Sequence, residues 1–128
     1  MAHININLDD VDDGSEPFPE GQHLVRVVSA AHKHKEGSEF PYIEVRMQAL
    51  DVEEKFQKRQ LRLTLSFHPN AMWNLKRFVA KAGVPWDTGG LDTDDFTGKE
   101  LFVTIKNRPD NDDPTMVRTD VSPPYSVA

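Results

Sequence analysis

Two runs of strict alternation constrain this chain more than any other feature. Between Tyr42 and Leu50, the side chains of Ile43, Val45, Met47 and Ala49 fall on one side, and those of Tyr42, Glu44, Arg46 and Gln48 on the other. Between Arg59 and Phe67, Leu61, Leu63, Leu65 and Phe67 stand opposite Arg62, Thr64 and Ser66. A period of two puts successive side chains on opposite faces of a pleated strand. Each run therefore predicts a strand packed on one face and wet on the other, the condition that antiparallel sheets permit.

The neighbouring segments extend the pattern. His23 to Ala31 is rich in β-branched residues and lies between Glu20-Gly21 and the polar run His32 to Glu39, which predicts a strand before the two above. The joins around residues 32–41 and 51–58 are short enough for a meander. One helix follows, with Asn70 as N-cap, Gly83 at the C-terminal stop and Pro85 blocking continuation. On a helical wheel Ala71, Met72, Leu75, Phe78, Val79 and Ala82 share one face, and Trp73, Lys76, Arg77, Ala80 and Lys81 the other. Residues 84–99 read as a turn-rich connection. Leu101, Val103 and Ile105 mark a fourth strand and Met116 to Val121 a fifth, ended by Pro123-Pro124. Three strands, a helix and two strands predict a mainly β fold, a five-stranded OB-fold Greek-key barrel with one helix between strands three and four.

A length of 128 residues fits one domain able to bury a sizeable core. Residues 1–20 read as a flexible acidic arm, 21–122 as the barrel and 123–128 as a short C-terminal tail. The absence of cysteine excludes a disulfide framework, a thiolate zinc site and a thiol nucleophile. With no apolar run near ~20 residues and no basic-plus-apolar start, a cytosolic protein without a membrane span is expected.

The formal net charge of −6 at first argues against a nucleic-acid partner. Located along the chain, it does not. Asp9, Asp10, Asp12, Asp13, Glu16 and Glu20 give the first twenty residues, which hold no Lys or Arg, the whole −6. Residues 21–86 carry eleven Lys and Arg against six acids, a net +5, and residues 87–128 carry four against nine, a net −5. Such asymmetry bears on partners rather than on fold.

Single-strand binding needs cations along the backbone and aromatic planes for stacking, which OB-folds place on the second and third strands and the flanking loops. Here that surface would present Tyr42, Arg46 and Arg62, with Arg26 from the first strand. The first loop offers Lys33, Lys35 and Phe40, and the second Lys55, Phe56, Lys58 and Arg59. The alternative is an ordinary solvated strand face, with Phe40 and Phe56 folded back onto the core. Trp73, between Lys76 and Arg77 on the polar side of the helix, is either a contact for a base or a partner, or is covered by the 84–99 connection together with Trp86. The pattern favours the covered position.

Other chemistry is poorly supported. His32 and His34 share a strand face without a third ligand at matching spacing. The run Asp9 to Glu20 imitates a calcium loop but has Val11 at a ligand position and no flanking helices. No phosphate-binding glycine loop or nucleophile motif is present, and Asp92, Asp94, Asp95 and Glu100 read as a solvated turn with capping acids. A non-enzymatic protein without metal or cofactor is expected.

The order of several segments resembles a family of small early bacteriophage proteins, long catalogued as a domain of unknown function and regarded as OB-fold single-stranded-DNA-binding proteins. The similar segments are Asp10-Val11, Pro17 and Pro19-Glu-Gly21 leading into Leu24 to Ala30, then Tyr42-Ile-Glu-Val45, Val79-Ala-Lys-Ala-Gly83 and Phe96-Thr-Gly-Lys-Glu-Leu101. The resemblance implies a replication or recombination accessory that coats single strands in the cytoplasm of an infected bacterium, with no catalytic residues. Single-strand binders often recruit partners through an acidic C-terminal tail, whereas this chain ends Pro123-Pro-Tyr-Ser-Val-Ala128 and is most acidic near its start. The arm could take that role toward phage or host replication and recombination proteins, could occupy the basic groove in the absence of DNA, or could serve solubility alone. Self-association is compatible with the sequence. Two rival uses of the same barrel are a protein-interaction adaptor, contacting partners through the arm and Trp73, and an acidic DNA-mimic inhibitor. The concentration of acids in the arm and the C-terminal third disfavours the mimic.

Overall fold

Five antiparallel strands in the order β3-β2-β1-β6-β7 form one sheet whose edges curl toward each other. The structure, a computed structural model, describes residues 2–6, 17–109, 112 and 117–128. In chain order the elements are β1 (Gly21–Lys33), β2 (Tyr42–Ala49), the single-turn helix α1 (Glu54–Gln57), β3 (Leu61–Ser66), α2 (Met72–Ala82), the small hairpin β4 (Trp86–Asp87) and β5 (Gly90–Leu91), a 3-10 turn (Thr93–Phe96), β6 (Glu100–Pro109) and β7 (Val117–Val127). Edge strands β3 and β7 draw close to each other, leaving a cleft of about 810 Å³ between them. The result is a mainly β, nearly closed five-stranded barrel, consistent with an OB-like barrel.

Both alternating runs form their strands, and the apolar side of each faces inward. Ile43, Val45, Met47 and Ala49 of β2 and Leu61, Leu63 and Leu65 of β3 are buried, as are Val25 and Val27 of β1 and Leu101, Val103 and Ile105 of β6. Removing each such side chain from water contributes about 1.5–3 kcal/mol, which fixes the register, since a slip of one residue would turn the whole row outward.

Strand β1 is longer than the alternation can carry. It pairs with β6 over Gly21–Arg26 and with β2 over Val25–Lys33, and its register with β2 shifts between Val27 and Ser29. Val28 is the extra residue, and it is 41% exposed. Past this bulge the parity reverses: Ala30 and His32 stand opposite inward Val45 and Ile43, and Ser29, Ala31 and Lys33 opposite outward Arg46, Glu44 and Tyr42.

Helix α2 buries Leu75, Phe78, Val79 and Ala82 of its predicted apolar face against the barrel. Phe78 stacks on Phe96 and meets Tyr125 edge-on, with centroids 6.1 and 5.4 Å apart. Gly83 closes the helix at φ 77°, a left-handed conformation that suits glycine, and its N–H donates to the Val79 carbonyl. The start differs from expectation. Ala71, not Asn70, occupies the N-cap and makes no side-chain cap bond. The turn His68–Ala71 has captured the polar groups: the Asn70 N–H donates to His68 Nδ1, and the Ala71 N–H donates to the His68 carbonyl. Met72, expected on the packed face, is 43% exposed.

Three further expectations are corrected. The 51–58 join contains α1, because Phe56 turns inward and is buried. Pro123-Pro124 does not end the last strand, and residues 123–128 are not a separate tail. β7 runs to Val127 at the sheet edge, where missing N–H donors are tolerated, and its register against β6 shifts between Phe102 and Thr104. Tyr125, three residues from the chain end, is buried and donates its hydroxyl to Asn74 Oδ1 of α2 at 2.6 Å. Finally, the segment before Gly21 is not wholly a loose arm. Phe18 is 1% exposed and packs edge-on against Phe56, while its carbonyl accepts from Asn107 Nδ2 at 2.6 Å. Glu20 accepts from the Asn107 N–H, and the Pro19 carbonyl lies 2.8 Å from His23 Nε2. The acids Asp9, Asp10, Asp12, Asp13 and Glu16 lie outside the described residues, as do the calcium-like positions apart from Glu20.

Two measurements check this packing. Phe18→Ala should lower the free energy of unfolding in denaturant by about 3–5 kcal/mol, the cost of deleting a buried phenyl ring; a loss under ~1 kcal/mol, ordinary for a surface position, would show that Phe18 lies outside the core. Burial raises the Tyr125 pKa to about 12, against the opposing hydrogen bond with Asn74. A raised value favours the neutral phenol in the folded state. Its stabilisation is complete below ~10, the unfolded value, and is lost as pH rises through about 12. Tyr125→Phe should remove that part of the alkaline loss.

Candidate functional site

The outward face of β1, β2 and β3 collects side chains in cross-strand rows. Ser29, Arg46 and Arg62 form one row, Ala31, Glu44 and Thr64 the next, and Lys33, Tyr42 and Ser66 the third. Glu44 occupies the centre. It is only 9% exposed because three cations close over it. Lys33 Nζ and Arg46 Nε each donate to its carboxylate at 3.0 Å, and Arg62 Nε stands 3.8 Å away. Arg46 also donates to Gln60 Oε1 at 3.4 Å. Three cations on one carboxylate leave a surplus of two positive charges, with the half-exposed phenol of Tyr42 beside them.

The Lys33 hydrogen bond is the largest influence on Glu44 and lowers its pKa, with Arg46 adding to the effect, while burial opposes them. Glu44 therefore stays ionised, and the cations are held in place without being neutralised as a group. Alternation makes the cations and Tyr42 legible as candidates, whereas the carboxylate that organises them emerges only from the structure. Its trace in the sequence is an acid on the wet face of an alternating strand, two residues from both Tyr42 and Arg46.

The remaining predicted positions distribute differently. Arg26 stands opposite Gln48 and reaches Glu100 of β6 at 3.5 Å, so it borders the face rather than joining the cluster. Lys35 is exposed in the loop after β1. Phe40 is half-buried, edge-on to His68 at 4.9 Å, and so is partly folded back. Phe56 is a correction: at 4% exposed its ring is unavailable to a base. Lys55 and Arg59 both lie 5.1 Å from the Phe56 centroid and cover it from outside. Lys55 also reaches Glu53 at 3.8 Å, and Lys58 reaches Glu54 at 4.0 Å. The second loop is thus a packed helical turn with internal charge pairing.

Trp73 is not covered by the 84–99 connection. It is 50% exposed, with the Arg77 guanidinium 5.0 Å from its ring, and Trp86 is 55% exposed. The hairpin β4–β5 stands beside α2 and leaves an apolar groove of about 800 Å³, lined by Trp73, Trp86, Met72, Leu91 and Phe67, with Lys76 at its rim. His32 also lines it and stacks on Phe67 at 5.4 Å, while His34 is held by the Ser38 carbonyl, so the two imidazoles have separate partners. Asp92 caps the 3-10 turn by accepting from the Asp94 N–H. No helix among the described residues is long and apolar enough to cross a membrane. Compared with known proteins, the chain matches no family model and no curated protein.

The Glu44 cluster generates a pH prediction. A lowered carboxylate pKa contributes stability that is present above the ordinary unfolded value and is lost as pH falls through the folded one. Glu44→Gln should therefore flatten the acid limb of a stability-against-pH curve measured by denaturant unfolding. An unchanged acid limb would mean that the ion cluster is not coupled to folding.

Proposed function

We propose that this chain is a non-catalytic, sequence-independent single-stranded-DNA-binding protein built on an OB-fold Greek-key barrel, with α2 inserted between the third and fourth barrel strands. The observation that carries the reading is the gathering of Lys33, Arg46 and Arg62 on one outward strand face beside Tyr42. Cations of this kind meet successive phosphates, and a half-exposed phenol offers a stacking plane worth about 1–3 kcal/mol per base. Cations set on a sheet face suit contacts to a sugar-phosphate backbone, which carry no sequence information, better than base readout. The resemblance to phage early proteins supports a role for such a chain in phage DNA replication or recombination in the host cytoplasm.

Titration of labelled oligo-dT and of duplex DNA at several salt concentrations tests this reading. Wild type should bind oligo-dT more tightly than duplex, with affinity falling as salt rises. Arg46→Gln/Arg62→Gln should weaken binding at low salt and reduce the slope of log K against log salt by about 1.4, or ~0.7 per lost single-strand phosphate contact. Absence of oligo-dT binding by wild type at low salt, or an unchanged slope in the double variant, sinks the reading.

A further inference from the structure

The groove between α2 and the β4–β5 hairpin is apolar and open, and the same chain carries an apolar segment that its own fold leaves bare. Ile4 and Ile6 are 77% and 66% exposed. They belong to the run His3-Ile4-Asn5-Ile6-Asn7-Leu8, whose period of two would line its apolar side chains along one edge of an extended strand. The groove presents Trp73, Trp86 and Met72, each between 43% and 55% exposed, as an unfilled receiving surface.

We propose that this groove receives the Ile4–Ile6 segment of a second copy of the chain. Charge supports the pairing. Lys76 lines the α2 side of the groove, Arg77 lies against Trp73 and Lys81 follows on the same helix, which holds no acid, whereas Asp87 and Asp92 line the hairpin side. The acids directly after the apolar run, Asp9, Asp10, Asp12 and Asp13, therefore suit the α2 side. Within one chain the groove stands open and both isoleucines are exposed, which favours a second copy over the same one. Exchange between two copies fills both grooves and makes each contact twice, as two-fold association requires.

Both tryptophans of the chain line the groove, so tryptophan emission reports on its filling. Sedimentation velocity and emission spectra of the full chain across a concentration series, at low and high salt, form the test. A reversible dimer is expected, with emission moving to shorter wavelength as it forms and moving back as salt rises. Ile4→Asp/Ile6→Asp should weaken association by roughly tenfold or more and abolish the spectral shift. Trp73→Ser should weaken it similarly from the receiving side. Mixing the two variants should restore partial association, because one intact segment then meets one intact groove. A chain that stays monomeric at every concentration, or a dimer indifferent to the isoleucine substitutions, overturns the proposal. So does a monomer whose emission is already shifted and is changed by those substitutions, which would place the segment in its own groove.

Discussion

The bulge at Val28 is the constraint on which the rest of the barrel depends. β1 lies at the centre of the sheet, bonded to β6 along its first half and to β2 along its second. A strand in perfect alternation would send Ala30 and His32 outward and Ala31 and Lys33 inward, taking the lysine off the wet face to the side where His32 now lines the groove. One extra residue reverses that parity and lets β1 bend between its two partners. The charged end of the strand then lies on the wet face, with Lys33 beside Glu44.

Electrostatics follow from that placement. A net charge of −6 describes the whole chain poorly, because the cations that matter are drawn to one spot by one carboxylate. Glu44 holds Lys33, Arg46 and Arg62 within reach of each other at the expense of a single positive charge. Without it, Arg46 and Arg62, directly opposite in register, would repel across the β2–β3 ladder. The cluster is therefore a requirement of the sheet as well as a candidate surface for phosphate. The loop after β2 takes the opposite course: its aromatic ring goes into the core, and two of its cations cover that ring.

The segment before β1 and the end of β7 are tied to the core by aromatic side chains. Phe18 closes against Phe56, and Tyr125 closes against Phe78 while its hydroxyl reaches α2. These contacts shorten the arm at the front and remove the tail at the back. Helix α2 packs along one face only, and Trp73 on its other side stays open to solvent near Trp86 of the hairpin.

The sequence by itself determined β2, β3, the inward face of α2 and its glycine stop, because each rests on a local periodicity or a backbone preference that neighbouring residues reveal. It also made Tyr42, Arg46 and Arg62 legible as one outward face, since a strict period of two leaves them no other side. Tertiary structure decided what depends on residues distant in the chain. Phe56 and Phe18 are core residues because they meet each other across thirty-eight positions of sequence. Pro123-Pro124 lies within a strand because β7 is an edge strand that pairs with β6 on either side of the two prolines. Lys33 joins the cluster only through a bulge that no alternation pattern announces, and Trp73 stays exposed because the hairpin that could have covered it packs beside the helix instead. Periodicity reports which face of an element is apolar; which neighbour fills that face, or leaves it open, is settled only when the whole chain is packed.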